Sequence, residues 1–328
     1  MGKAGSGLPG RGGGRHSGGM GDCEQDWTAE CAALDRRWGG PGRVAFRPSA
    51  VGPVVRLSGP GGTAEVALLG AQTVGWVPAG GGEVLYWPEG EAAIGEEVHG
   101  GIPVCWPWFG RMGPEGSRMH GVARYGRFEV VAVEAAGERT EVGLRLEASE
   151  ATRAAFPHGF RLEVRIGVGE ALAVSMEAAN TGAEAFAVTA GFHPYLRVSD
   201  AAGVRVEGFA GARYLDWTAD ADGREQHAVQ AGDYRPVPGS RVFAEARSVC
   251  RLRDAGLGRT VVLEAAGHTR WCVWRADAAT LPRGNLLPED AEGFVCVEPV
   301  VFPRCDAVVL EPGGRQTMSL ALRTEGVR

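Results

Sequence analysis

From about residue 43 the chain alternates apolar and polar positions with a period of two, the spacing that sends successive side chains to opposite faces of a strand. In "GFRLEVRIGV", Phe160, Leu162, Val164, Ile166 and Val168 fall on one side, and Arg161, Glu163 and Arg165 on the other. The same pattern runs through Val142, Leu144 and Leu146 and through Met318, Leu320 and Leu322. It recurs at 63–69, 128–134, 172–178, 260–264, 271–275 and 294–301. One segment, Ser149 to Phe156, reads as a helix, with Ser149 as N-cap and Pro157 ending it. Many short strands separated by Gly, Pro and Asp turns predict an all-β fold, a large antiparallel β-sandwich.

The first 40 residues break this pattern. Ten of the first 21 are glycine, and no apolar run resembles a signal peptide. Residues 1–40 are expected to form a loose tail and 41–328 a single domain. "MGKAGS" matches the form of an N-myristoylation signal, and the arginine-rich start that of a transit peptide. A disordered extension, or a start placed ahead of Met20, is the simpler reading.

Composition removes several kinds of chemistry. Net charge is −6, which leaves no bulk electrostatic footprint for nucleic acid. Lys3 is the sole lysine, which argues against a Schiff base, a pyridoxal anchor and a phosphate-loop lysine. Seven cysteines without C-x-x-C spacing give no support to structural zinc or a disulfide framework, and fit a reducing, cytoplasmic compartment. No stretch approaches the roughly 20 apolar residues of a membrane span. No Rossmann fingerprint placed after a strand, and no G-x-S-x-G or H-E-x-x-H motif, is present.

Seven histidines remain to be sorted. His16 lies in the tail, His227 and His268 lie in polar, turn-like settings that predict exposure, and His158 sits at the predicted helix end. His99, His120 and His193 occupy apolar or glycine-rich surroundings. Pro194 holds His193 extended near a strand end, where the pattern alone favours a core or edge histidine satisfied by hydrogen bonds. Glu298 is the stronger anomaly. In "GFVCVEPVVF", Phe294, Cys296, Glu298 and Val300 share one face, Val295, Val297 and Pro299 the other, and neither face is polar. A carboxylate there must be paired or open onto a cavity, because burying it alone costs several kcal/mol. Desolvation would raise its pKa toward that of a general base working near neutrality; a structural ion pair with a buried arginine fits the pattern equally. His120 and Arg124, beside glycine-rich backbone, suit an oxygen-rich ligand, although Arg118, Arg124 and Arg127 also read as a solvated turn.

Taken in order, "GAQTVGW", "GGIPVCWPWFG", "HGVAR", "GFHPYL", "RYLD" and "FVCVEP" resemble the aldose 1-epimerase (mutarotase) superfamily, and most closely its glucose-6-phosphate 1-epimerase branch. The resemblance spans roughly residues 43 to 323 and implies the family's large β-sandwich. It further implies His193 as general acid and Glu298 as general base. By the same resemblance His120, Arg124 and Asp216 bind substrate, and no cofactor or metal is used. The implied partner is a small sugar or sugar phosphate, handled by a monomer, with neither nucleic acid nor membrane involved. One position departs from the branch pattern: arginine usually precedes "GGIP", and here the residue is His99. An imidazole reaches less far and is only partly charged, so free aldoses stay in contention and Arg111 or Arg118 is expected to compensate. The prolines and tryptophans of "GGIPVCWPWFG" are expected to wall the sugar pocket.

Overall fold

The computed structural model describes residues 27–217, 228–245, 247–302 and 306–326. The alternating segments form strands almost entirely where the pattern places them. One antiparallel eight-stranded sheet runs in the order Arg205–Glu207, Val249–Asp254, Arg259–Ala266, Arg315–Gly326, Leu172–Asn180, Phe160–Val168, Arg139–Glu147, Glu129–Ala136. In Phe160–Val168 the five residues on the apolar side are all buried, as a strand with one face on the core requires. A second eight-stranded sheet centres on Phe294–Val301, every residue of which is buried. The expected two-sheet sandwich therefore holds, with two additions. A four-stranded sheet over residues 44–78 packs on the strands Arg139–Glu147 and Phe160–Val168, and Phe186–Val188 pairs separately with Val308–Leu310.

The main apolar cluster draws Leu144, Leu162 and Leu320 from the first sheet and Trp271, Val273, Val295 and Val297 from the second. The odd-numbered side of Phe294–Val301 therefore faces the sandwich core. Its even-numbered side faces away, between two smaller clusters. One contains Tyr195, Phe294 and Cys296 with Trp274 against them; the other contains Phe109, Cys272, Val300 and Phe302 with Trp217 against them. Glu298 lies on this outer face, in the gap between the aromatic groups.

Three expectations need correction. Residues 28–38 are not part of a loose tail but form the helix Thr28–Trp38. Its apolar positions, Trp27, Cys31, Leu34 and Trp38, follow helical spacing and pack on the core, and Asp35 accepts a 2.8 Å hydrogen bond from the Phe46 amide. Residues 1–26 lie outside the described part of the chain. The second helix starts as predicted, on a Ser149–Thr152 capping box, but spans only Glu150–Arg153. His268 is buried rather than exposed, with its Nε2 3.1 Å from the Arg247 carbonyl; His227 and His16 lie outside the described residues.

Candidate active site

Glu298 and His193 are brought together by strand pairing. Phe294–Val301 is bordered on one edge by two short strands, Ala190–Phe192 and Tyr195–Arg197, interrupted at His193 and Pro194. Gly191 pairs with Val300 and Tyr195 with Cys296, so the same register runs through the break and sets His193 opposite Glu298. Cross-strand partners share a face, and both side chains project to the outer side. His193 Nε2 lies 3.5 Å from Glu298 Oε2. The break is stabilised from elsewhere: the His193 amide donates to the Pro103 carbonyl at 3.0 Å. On the opposite edge Cys272 pairs with Glu298, and its thiol donates a hydrogen bond to the carboxylate.

Burial governs the protonation of this pair. It pushes Glu298 well above the ordinary carboxylate range, with the Arg124 charge and the Cys272 hydrogen bond pulling it part of the way back. It pushes His193 well below the ordinary histidine range, and Arg124 adds to that. Both shifts favour a proton residing on Glu298 beside a neutral imidazole. Burial thus favours the neutral pair over the ion pair that proximity alone suggests; the two forms carry the same single proton. Glu298 Oε2 and His193 Nδ1 have no hydrogen-bond partner, so acceptor and donor capacity is left for a ligand.

His120 joins the pair, its ring edge-on to His193 with centroids 5.2 Å apart. Its backbone sits at φ +67°, an uncommon conformation outside glycine, and is fixed by a hydrogen bond that its amide donates to the Gly110 carbonyl at 2.8 Å. In return Gly110 N donates to His120 Nδ1 at 3.1 Å, which leaves Nε2 as the N–H donor. The following Gly121 is required: at φ +82°, a Cβ would stand 2.1 Å from the Trp106 carbonyl oxygen.

Arg124 and His99 sit beyond Tyr195, whose ring stacks on His193 at 4.8 Å and meets His99 edge-on at 6.2 Å. Arg124 is buried and is not a solvated turn residue. It donates to the Val98 carbonyl at 2.7 Å and to Glu97 at 3.3 Å. His99 is buried too, and burial, followed by the Arg124 and Arg283 charges, holds it well below the ordinary histidine range. It is a neutral ring and supplies no cation at the position where the branch carries arginine.

Asp216 is not brought to this group. It pairs in register with Arg241, which pairs with Val273, which pairs with Val297, a row on the core side of the sheet. Its carboxylate is held by Arg241, with Nε 2.7 Å from Oδ1. The side chains that do reach the outer face are its neighbours Leu215 and Trp217. Trp106 and Trp108 of "GGIPVCWPWFG", expected to wall the sugar pocket, likewise lie elsewhere. Trp106 packs into the sandwich core against Phe160, and Trp108 borders a separate cavity of about 790 Å³ that also touches Arg118 and Tyr125. Phe109 is the residue that faces the site, 4.9 Å from His120 and stacked on Trp217 at 5.8 Å. Trp274 forms the other wall, edge-on to His193 at 5.9 Å. Arg118 lies over the Tyr125 ring, away from the pair.

Ligand atoms of His193, Cys296 and Glu298 lie within 4.8 Å of one another, a donor set that suits a soft divalent cation. Such an ion would occupy the atoms that proton transfer needs.

A carboxylate opposed to an imidazole, with a second histidine and aromatic walls on a large β-sandwich, has the form of an acid–base isomerase site. The sequence profile of aldose 1-epimerases matches residues 53–323, and the chain belongs to that family. A Salmonella typhimurium protein with the provisional name glucose-6-phosphate 1-epimerase is 32% identical over 264 residues, covering 79% of this chain and 87% of that protein. An Escherichia coli K12 protein with the same provisional name is 28% identical over 260 residues, covering 78% and 86%. The crystal structure of YeaD from Salmonella typhimurium, provisionally a mutarotase, superposes with a TM-score of 0.79 at 27% identity, over 87% of this chain and 94% of that one. The fold is that of the galactose mutarotase-like sandwiches, and the protein is an isomerase of the epimerase type.

Proposed function

We propose that the protein interconverts the α and β anomers of a hexose 6-phosphate, glucose 6-phosphate foremost. The observation that carries this reading is the buried Glu298–His193 pair, 3.5 Å apart. Glu298, as carboxylate, takes the proton from the anomeric hydroxyl while His193, as imidazolium, protonates the ring oxygen. The C1–ring-oxygen bond breaks, the free aldehyde forms, and rotation about C1–C2 exposes its other face. Reclosure returns both protons. The hydroxyl and ring oxygen of the sugar supply hydrogen bonds to the pair, and so favour the ionised form in which the proton has moved to His193. No electrons are exchanged, so the chemistry calls for no nicotinamide. His120 Nε2–H is positioned to hold a sugar oxygen, and Phe109, Trp217 and Trp274 offer flat apolar surface to the pyranose.

The names of the two enterobacterial relatives support the phosphorylated substrate. One observation favours free aldoses as the second reading: His99 is neutral and buried where the branch carries arginine. A non-catalytic carbohydrate binder would need no opposed acid and base. Buried free thiols at Cys105, Cys272 and Cys296 support a reducing, cytoplasmic setting. Anomeric exchange followed by NMR for glucose 6-phosphate, glucose and galactose in parallel tests the reading. Faster exchange of the phosphorylated sugar is expected; preference for a free sugar moves the assignment to the second reading, and no acceleration of any of them rejects both.

A further inference from the structure

Beyond the Glu298–His193 pair, Glu97 collects guanidinium groups from two distant parts of the chain, with the nearby His99 ring against the same carboxylate. Arg283 binds it through Nη2, 3.0 Å from Oε1 and 3.2 Å from Oε2, and through Nε, 3.2 Å from Oε2. Arg124 reaches the same Oε1 at 3.3 Å, and His99 Nε2 lies 3.7 Å from it. With His99 neutral, two guanidinium groups face one carboxylate, an excess of one positive charge. The Arg124 Nε is buried without a partner, so this cluster is not saturated.

The loop that carries Arg283 is fixed against His99. Asn285 Oδ1 accepts from the His99 amide at 2.7 Å, and its Nδ2 donates to the His99 carbonyl at 3.3 Å. Gly284, at φ +52°, allows the close approach: a Cβ there would stand 2.2 Å from the Glu97 carbonyl oxygen and 2.9 Å from His99 Nδ1. The guanidinium missing at position 99 is thus replaced in space by one from residue 283. Arg283 is about one-third exposed and Glu97 about one-fifth, so both can exchange partners with a ligand, whereas Arg124 is enclosed.

We propose that Arg283 and Arg124 form the phosphoryl-binding end of the sugar site, and that Glu97 is a resident anion whose place the phosphoryl group takes. A dianionic phosphate ester balances the two guanidinium charges once Glu97 turns outward, and the forked guanidinium suits its oxygens. His99, neutral, serves as the surface against which the Arg283 loop packs. The inference rests on the sugar-phosphate reading and names the residues that would select it.

The test has two arms so that the two readings fail separately. The first is calorimetric titration with inorganic phosphate, which needs no turnover. Arg283→Gln is expected to weaken phosphate binding about tenfold or more, Arg283→Lys to recover part of the loss, and Glu97→Gln to tighten binding. The second is the ratio of kcat/KM for glucose 6-phosphate to that for glucose, expected to fall about tenfold in Arg283→Gln and to rise in Glu97→Gln. Phosphate affinity within twofold of wild type in Arg283→Gln, or weaker phosphate binding in Glu97→Gln, overturns the proposal. A wild-type protein that binds phosphate through Arg283 and accelerates no anomer keeps the anion site and rejects the epimerase reading.

Discussion

Glu298 and His193 occupy opposed positions on neighbouring strands, 3.5 Å apart on the side of the sheet turned away from the sandwich core. The arrangement is a strand-pairing consequence. Because the register is the same on both sides of the His193–Pro194 break, moving either residue by one position would send its side chain into the core. The geometry of the pair is inherited from the sheet, which holds it more rigidly than loops would.

A carboxyl group buried as Glu298 is held at the expense of stability. Glu298 has a pKa raised on folding, so its contribution is fully present below its unfolded value near 4.5 and is lost as pH rises through the folded value. Glu298→Gln removes the titration while keeping the shape. It is expected to be more resistant to urea than wild type at pH 8, by about 1–4 kcal/mol, with the difference shrinking toward pH 5. An equal or lower unfolding midpoint at pH 8 would mean that burial of the carboxylate is not destabilising.

The histidines make the opposite contribution. His99, His120 and His193 are held neutral by burial, with pKa values below the ordinary 6.5, so stability is intact above that value and is lost as pH falls below it. Each group adds a slope of about 1.4 kcal/mol per pH unit, so the three together approach about 4 kcal/mol per unit. Denaturant titrations between pH 7 and 5 check this. His99→Gln, with one of the three groups removed, is expected to flatten the slope by about a third, and an unchanged slope would show that His99 is protonated in the folded protein.

Gly121 tests how tightly the His120 turn is made. Ala at this position combines a φ of +82° with a Cβ 2.1 Å from the Trp106 carbonyl oxygen. Gly121→Ala is expected to lose about 2–4 kcal/mol in a urea melt, since both the backbone and the packing must shift. A loss below about 0.5 kcal/mol would mean that the turn yields easily.

Asp216 separates sequence resemblance from geometry. Its side chain lies on the core side, bound to Arg241, so Asp216→Asn is expected to leave anomer exchange within about twofold of wild type while lowering stability by about 1 kcal/mol. A loss of exchange of a hundredfold would return Asp216 to the site.

The strands were readable because a half-buried strand writes its two faces into alternate residues, as Phe160 to Val168 do. Glu298 stood out for the same reason, a charge on a strand with no polar face. The helix Thr28–Trp38 was masked by its glycine-rich neighbourhood, although Trp27, Cys31, Leu34 and Trp38 carry its period. A short motif does not say which face of a strand its residues occupy, so "RYLD" does not reveal that Asp216 lies on the core side and Leu215 and Trp217 on the outer one. The Glu97–Arg283 contact joins residues 186 positions apart, and no local pattern records such a meeting.

The central claim is that Glu298 and His193 together open the sugar ring, and anomer exchange in glucose 6-phosphate measures it most directly. Wild type is expected to accelerate exchange, with Glu298→Gln and His193→Gln each slower by about 10²–10⁴-fold and the double variant little slower than either. Exchange at the wild-type rate in Glu298→Gln would contradict the account.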